Sequence, residues 1–175
     1  MPCQPLLQAH NMNNNFKIRQ ANIDDVTLIL SFIKELAEYE QLLSEVVATE
    51  EILRETLFGA KSHAEVIFGE LDNEPISFAL YFHNFSTFLG KPGIYLEDLF
   101  VRPEARGQGI GQKMLAYLAH LTKERNCGRL EWWVLDWNET AIHFYKKLGA
   151  KPMDEWTVHR VTGDALNQLA LSWKE

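Results

Sequence analysis

The stretch from Tyr95 to Gly111 limits what this chain can fold into more than any other. It reads Tyr95-Leu96-Glu97-Asp98-Leu99-Phe100-Val101, then Arg102-Pro103-Glu104-Ala105, then Arg106-Gly107-Gln108-Gly109-Ile110-Gly111. The first segment is a strand pattern, the second a turn marked by proline, the third a glycine-rich lead into a helix. Beyond it the apolar residues Met114, Leu115, Leu118 and Leu121 recur at helical spacing, which predicts a helix from Gly109 to about Arg125. A strand that passes through glycines into a helix N-terminus leaves several backbone N–H groups unpaired. Together with the positive end of the helix dipole, such a cluster binds phosphate.

The spacing narrows which phosphate. A Walker A loop ends in Gly-Lys-Ser/Thr, whereas Gly111 is followed by Gln112 and Lys113. A dinucleotide fingerprint fits Gly107 and Gly109 but meets Gln112 where its third glycine belongs. The pattern that fits is Arg-x-x-Gly-x-Gly, from Arg106 through Gly109 to Gly111. It resembles the acetyl-CoA pyrophosphate loop of the GNAT N-acetyltransferase superfamily. Taken alone, six residues also read as a glycine-rich turn with no ligand.

Composition excludes several alternatives. The 175 residues suit one domain with its own core, and no apolar run approaches the length of a membrane helix. The segment Met1 to Leu7 lacks the basic start and apolar core of a secretory signal. Two cysteines, Cys3 and Cys127, are too few for a disulfide framework, so a reducing cytoplasm is expected. A net charge of −7 argues against a nucleic-acid binder and, weakly, for a cationic partner. No set of His, Cys, Asp and Glu has metal-ligand spacing, so no metal is expected.

Taken in order, residues 1–15 read as a disordered N-terminal tail, or as an upstream extension if translation starts at Met12. Residues 16–175 read as one domain. Phe16 to Arg19 alternates as a strand, and Asn22 or Asp24 opens a helix to about Glu40 with Val26, Ile29, Leu30, Ile33, Leu36 and Ala37 on one face. Thr49 caps a short second helix, Glu50 to about Leu57. Ala64 to Leu71 and Ile76 to about Phe82 form a hairpin around Asp72-Asn73-Glu74-Pro75, and Phe85 to Gly93 reads as a loop. After the organising strand and helix, Leu130 to Leu135 is a strand apolar enough to be buried on both faces. Asn138 caps a helix from Glu139 to Leu148 closed by Gly149, Lys151 to Met153 and Trp156 to Val161 read as strands, and Gly163 to about Leu169 reads as a final turn of helix. The order β-α-α-β-β-β-α-β-α-β-β predicts an α/β domain with one mixed sheet flanked by helices, which is also the order of the GNAT fold.

The resemblance extends beyond the loop. Tyr95-Leu96-Glu97-Asp98, Arg106 to Gly111, Trp137-Asn138-Glu139, Phe144 to Ala150 and Lys34 to Glu40 are similar to blocks of the spermidine/spermine (diamine) and thialysine N-acetyltransferases, over roughly Phe16 to Ala170. The resemblance implies that Leu99, Phe100 and Val101 meet the pantetheine arm and thioester of acetyl-CoA. It places Arg106, Gly107, Gln108, Gly109, Ile110, Gly111 and Gln112 at the pyrophosphate, and Asn138, Glu139, Thr140 and Ala141 on the lower arm. For the amine it implies Tyr39, Glu40, Glu97, Asp98 and an acidic residue at Asp154 or Glu155; Glu131, Trp132 and Trp133 are further substrate-binding candidates, the two tryptophans reading as core and pocket wall. It further implies a homodimer. Three departures from the human-type enzymes stand out. Leu148 replaces an Arg that reaches a CoA phosphate, Phe88 replaces a Trp, and Gly149 to Trp156 is shorter. The acceptor is therefore left open between diamines, polyamines and a thialysine-like amino acid.

The chemistry makes its own demands. An alkyl amine of pKa about 10.4 costs about 4.6 kcal/mol to deprotonate at pH 7, so a neighbouring carboxylate is needed, and Glu97 is the candidate base. CoA departs as a thiolate; a phenol of ordinary pKa about 10 can protonate it, and the resemblance gives Tyr145 that role. On residue chemistry alone Tyr145 also reads as a packing aromatic, and one of Glu97 and Asp98 as merely solvated. Cys127 and His143 read as an inert thiol and a surface residue. A protein or peptide N-acetyltransferase, or a silent acyl-CoA-binding module, are the competing functions.

Overall fold

Strand patterns at Phe16–Gln20 (β1), Glu65–Leu71 (β2), Glu74–Ser86 (β3), Lys91–Val101 (β4) and Leu130–Trp132 (β5) come together as one sheet in sequence order. This computed structural model describes residues 15–173, so the expected tail lies outside the described residues except Asn15, whose carbonyl accepts the Asp72 N–H at 3.3 Å. The first four strands pair antiparallel and β5 pairs parallel to β4, which makes the sheet mixed. Helices Val26–Tyr39 (α1), Glu50–Phe58 (α2), Ile110–Glu124 (α3), Glu139–Lys147 (α4) and Gly163–Leu171 (α5) complete the order. The described residues divide into two compact units, the first ending at Trp133 and the second beginning at Val134.

In the first unit, strand alternation sends one set of side chains against α1 and α2. Val26, Ile29, Phe32, Leu53, Leu57, Val66, Phe68, Phe78 and Phe100 form that buried cluster. Phe32 is its centre, stacked on Phe78 at 5.2 Å between ring centroids and lying 5.7 Å from Phe68 and 6.4 Å from Phe100. Phe32 is not among the residues expected on the apolar face of α1, yet it is fully buried. The wide apolar stripe of a helix packed on a sheet takes in positions between the i, i+3 and i+4 rows. The opposite face of the sheet packs Ile67, Ala79, Ile94 and Leu96, with α3 contributing Ile110, Met114, Leu115, Leu118 and Leu121.

Local capping follows the residue types. Asn22 closes a capping box with Asp25 ahead of α1, and the Thr49 hydroxyl accepts the Ile52 N–H at 3.3 Å at the start of α2. Asp72 and Asn73 turn the β2–β3 hairpin with positive φ of 52° and 68°, as a tight primed turn requires. The segment expected to be a loop before the organising strand is instead a long hairpin, with β3 running to Ser86 and β4 starting at Lys91. Cross-strand pairing continues there because Asn84, Gly93 and their neighbours remain in register.

Three strand expectations need correction. β5 stops at Trp132 rather than Leu135, and its residues are half-buried rather than buried on both faces. Lys151 to Met153 and Trp156 to Val161 are not strands. Alternation alone does not make a strand; the backbone needs a partner edge, and the second unit contains no other strand among its described residues. In that unit α4 closes on Gly149 at φ +87°, and α5 runs to Leu171, just past the expected end at about Leu169.

Two stability effects follow. Phe32→Ala should cost about 3–5 kcal/mol in urea unfolding, because the pocket it leaves is lined by rings that cannot collapse into it. Gly109 is held at φ +75° at the start of α3, so Gly109→Ala should cost about 1–2 kcal/mol in the same assay.

Candidate functional site

A one-residue slip in β4 sets the geometry of the acidic residues. Leu80 pairs with Asp98 and Tyr81 with Leu96, so Glu97 is the extra residue of a β-bulge. Asp98 and Phe100 therefore share the face of Leu80 and Phe78, towards α1, while Glu97 is displaced from the regular alternation and exposed. Pairing with β5 covers only Ile94, Tyr95 and Leu96. From Glu97 to Val101 the strand has β3 on one side and no β5 pairing on the other.

Asp98 is partly buried at the mouth of this face, with Glu40 at the end of α1. Burial, followed by the charges of Glu97 and Glu40, pushes the Asp98 carboxyl up to about 7. Burial alone raises Glu40 above the usual carboxylate range. Among the described residues neither carboxylate has an ion-pair partner, so two acidic groups lie close together without a described counter-ion. Tyr39 directly precedes Glu40 in the chain, its ring 6.4 Å from Phe100.

At the end of β4 the chain makes a single 3-10 turn, Pro103–Ala105, and enters the glycine loop. Gly107 and Gly109 both adopt left-handed backbone, φ +76° and +75°, and a Cβ on either would meet nothing within 4 Å. Glycine is required there by conformation and not by crowding. Gly109 is the N-cap of α3 and offers no side-chain cap, so the first-turn amides of Ile110, Gly111 and Gln112 have no acceptor within the helix. The Gln108 side chain is turned back onto the Glu104 carbonyl. Arg106 donates from Nε to the Val101 carbonyl at 2.9 Å and lies over the Tyr39 ring at 4.7 Å.

The remaining first-unit residues gather around Tyr95. Trp133 meets the Tyr95 ring edge-on at 5.7 Å, and Phe82 tilts against it at 5.1 Å. Glu131 is already engaged, accepting from Asn84 Nδ2 at 2.7 Å and lying 2.7 Å from Arg129 Nε. Trp132 is half-buried on β5.

The other expected site residues belong to the second unit. Asn138 caps α4 by accepting the Ala141 N–H at 3.2 Å, with Glu139 and Thr140 in its first turn. Tyr145 lies on the same helix with Phe144 5.4 Å from its ring. Glu155 is exposed in the irregular segment before α5. His143 is exposed, its Nδ1 2.7 Å from the Glu139 carbonyl, whereas Cys127 is buried in the first unit. No three or more His, Cys, Asp or Glu side chains form a metal-ion site among the described residues. Nor is any described helix long and apolar enough to cross a membrane.

Two features of the site were not read from the residues. Arg102 makes a bidentate pair with Glu35 at 2.9 Å and lies over Phe32 at 4.5 Å, fastening the end of β4 to α1. The bulge at Glu97 was likewise not foreseen. The run Leu96-Glu97-Asp98-Leu99 does break strict alternation with two adjacent acids, and that was the available signal.

Residues 31–150 match the acetyltransferase (GNAT) family. A thialysine N-epsilon-acetyltransferase from Bos taurus is 39% identical over 164 residues, covering 87% of this chain and 96% of that protein. An L-ornithine N5-acetyltransferase from Arabidopsis thaliana is 31% identical, covering 87% of each. Among solved structures, an integron cassette protein from V. cholerae superposes with a TM-score of 0.76 at 32% identity, over 90% of this chain and 98% of that one. With the family matched across most of its length and the sheet and glycine loop in place, the chain belongs to the GNAT acetyltransferase family.

Proposed function

We propose that this acetyltransferase moves the acetyl group of acetyl-CoA to a primary amine of a small cationic acceptor. A diamine, a polyamine or a thialysine-like amino acid fits that description. The observation that carries the reading is the cluster of Glu40, Glu97 and Asp98 on the elements that lead, through β4, into a helix N-terminus with no side-chain cap. One end suits an ammonium group, the other a diphosphate. The named activities of the thialysine and ornithine acetyltransferases support a small amine acceptor.

In this reading residues 16–175 act as one domain; the family match, residues 31–150, begins in the first compact unit and ends within the second. Arg106 and the amides of Gly107 to Gln112 hold the pyrophosphate, and Leu99 to Val101 face the pantetheine arm and polarise the thioester. Asn138 to Ala141 meet the lower arm of CoA. Asp98, Glu40, Tyr39 and the wall of Glu131, Trp132, Trp133 and Glu155 receive the cation. Glu97 takes the amine proton, directly or through water, and the free amine attacks the thioester carbonyl in a ternary complex. The tetrahedral adduct expels the CoA thiolate, which Tyr145 protonates, and the second proton of the attacking nitrogen passes to the tyrosinate, directly or through water. No metal and no covalent enzyme intermediate take part. The enzyme works in the cytoplasm as a homodimer.

Release of CoA thiol from acetyl-CoA, measured against thialysine, ornithine, diamines, polyamines and a mixed peptide pool, tests this. Signal from small amines alone is expected. Signal from peptides alone would make it a protein acetyltransferase, and silence with CoA retained a binding module. Tyr145→Phe should lower turnover by about 10²- to 10⁴-fold with little change in CoA affinity, and an unchanged rate would take Tyr145 out of the mechanism. Glu97→Gln should hurt most at low pH, where free amine is scarcest.

The Asp98 carboxyl gives a signed pH dependence. Below about 7 it holds a proton that a bound ammonium must expel. Amine affinity should therefore rise with pH up to about that value and then level, with proton release in calorimetry. Between the ordinary carboxylate range and about 7 the folded state holds a proton the unfolded chain has lost, so stability falls as pH rises through that window. Asp98→Asn should flatten the binding profile and stabilise the protein at pH 8 relative to pH 5. An Asp98→Asn profile that matches wild type would remove Asp98 from acceptor binding.

A further inference from the structure

Arg106 lies where the end of α1, the end of β4 and the glycine loop converge. Its guanidinium carbon is 4.7 Å from the centre of the Tyr39 ring and 5.4 Å from that of Phe100. Its Nε donates to the Val101 carbonyl at 2.9 Å. Among the described residues its Nη nitrogens donate to nothing in the chain, and no carboxylate pairs with it. A guanidinium has two kinds of surface: flat faces that stack on rings, and an edge of N–H donors that grips phosphate or carboxylate. In Arg106 the faces are committed to the two rings, while its Nη edge has no acceptor among the described residues and the residue itself directly precedes the Gly107–Gly111 loop.

The geometry points to Arg106 as a positioning residue that couples the two substrates. Its free edge meets an anion on the loop amides, and its face fixes Tyr39, the aromatic neighbour of Glu40 and Asp98. A diphosphate in the loop therefore steadies one wall of the acceptor site, and a bound amine tightens the cofactor in return, since such coupling is reciprocal. This rests on the acetyltransferase reading. Lysine in place of Arg106 keeps the charge but loses the stacking face and the fork, and phenylalanine in place of Tyr39 keeps the ring.

The test measures the KM for thialysine and kcat at saturating acetyl-CoA. It adds the CoA dissociation constant by calorimetry with and without thialysine. Wild type should bind CoA more tightly in the presence of thialysine. Arg106→Lys and Tyr39→Leu should each raise the thialysine KM by about 2- to 5-fold, the effect of one stacked cation, falling on KM more than on kcat. Both should abolish the mutual tightening, and Tyr39→Phe should retain it. The double variant Arg106→Lys/Tyr39→Leu should be no worse than either single one for KM. Effects that multiply in the double variant would overturn the coupling, as would an Arg106→Lys that weakens CoA while leaving the thialysine KM unchanged. A wild type that binds CoA yet acetylates no amine would overturn the acetyltransferase reading and the coupling with it, and is told apart by its missing turnover.

Discussion

A β-strand shows alternate residues to opposite faces, and it can change that assignment only by inserting a residue. β4 does so at Glu97. On one side of the slip Ile94 and Leu96 fill the core against α3; on the other Asp98 and Phe100 turn towards α1. Without the slip, one of these sets would face the wrong layer. The bulge therefore reconciles a close-packed core with a carboxylate at the end of the same strand. It also places the exposed Glu97 beside a partly buried Asp98, so two adjacent acids have different environments.

Arginines then hold the surrounding elements in position. Arg102 spans from the end of β4 to Glu35 on α1 and covers Phe32, and Arg106 leans on Tyr39 and Phe100 one turn further on. Both use the face of the guanidinium on an aromatic ring and the edge on oxygen, a combination lysine cannot supply. The acidic cluster thus sits at a junction whose walls are fixed by stacking, while among the described residues Asp98 and Glu40 have no ion-pair partner.

Much of this was legible in the residues. The glycine loop, the Asn22, Thr49 and Asn138 caps, and the α3 spacing are local signals, and each appears where its chemistry puts it. What escaped depends on partners distant in sequence. Phe32 is buried because Phe68, Phe78 and Phe100 arrive from three strands to meet it. The hairpin continues through Ser86 and Lys91 because two strands stay paired, not because either segment reads strongly alone. Trp156 to Val161 shows the converse: its alternation is clear, but a strand also needs an edge to bond with.

The sheet's connectivity bears on the order in which the first unit assembles. β2, β3 and β4 follow one another through tight turns, so their pairing closes only short loops. β5 reaches β4 only after the chain has passed through the glycine loop and the whole of α3. Loop-closure entropy favours the meander as the early structure and makes the parallel pairing the slow event. The glycine loop lies inside that late crossover, so a nascent chain acquires much of its hydrophobic sheet before the left-handed turn at Gly107 and Gly109 takes shape.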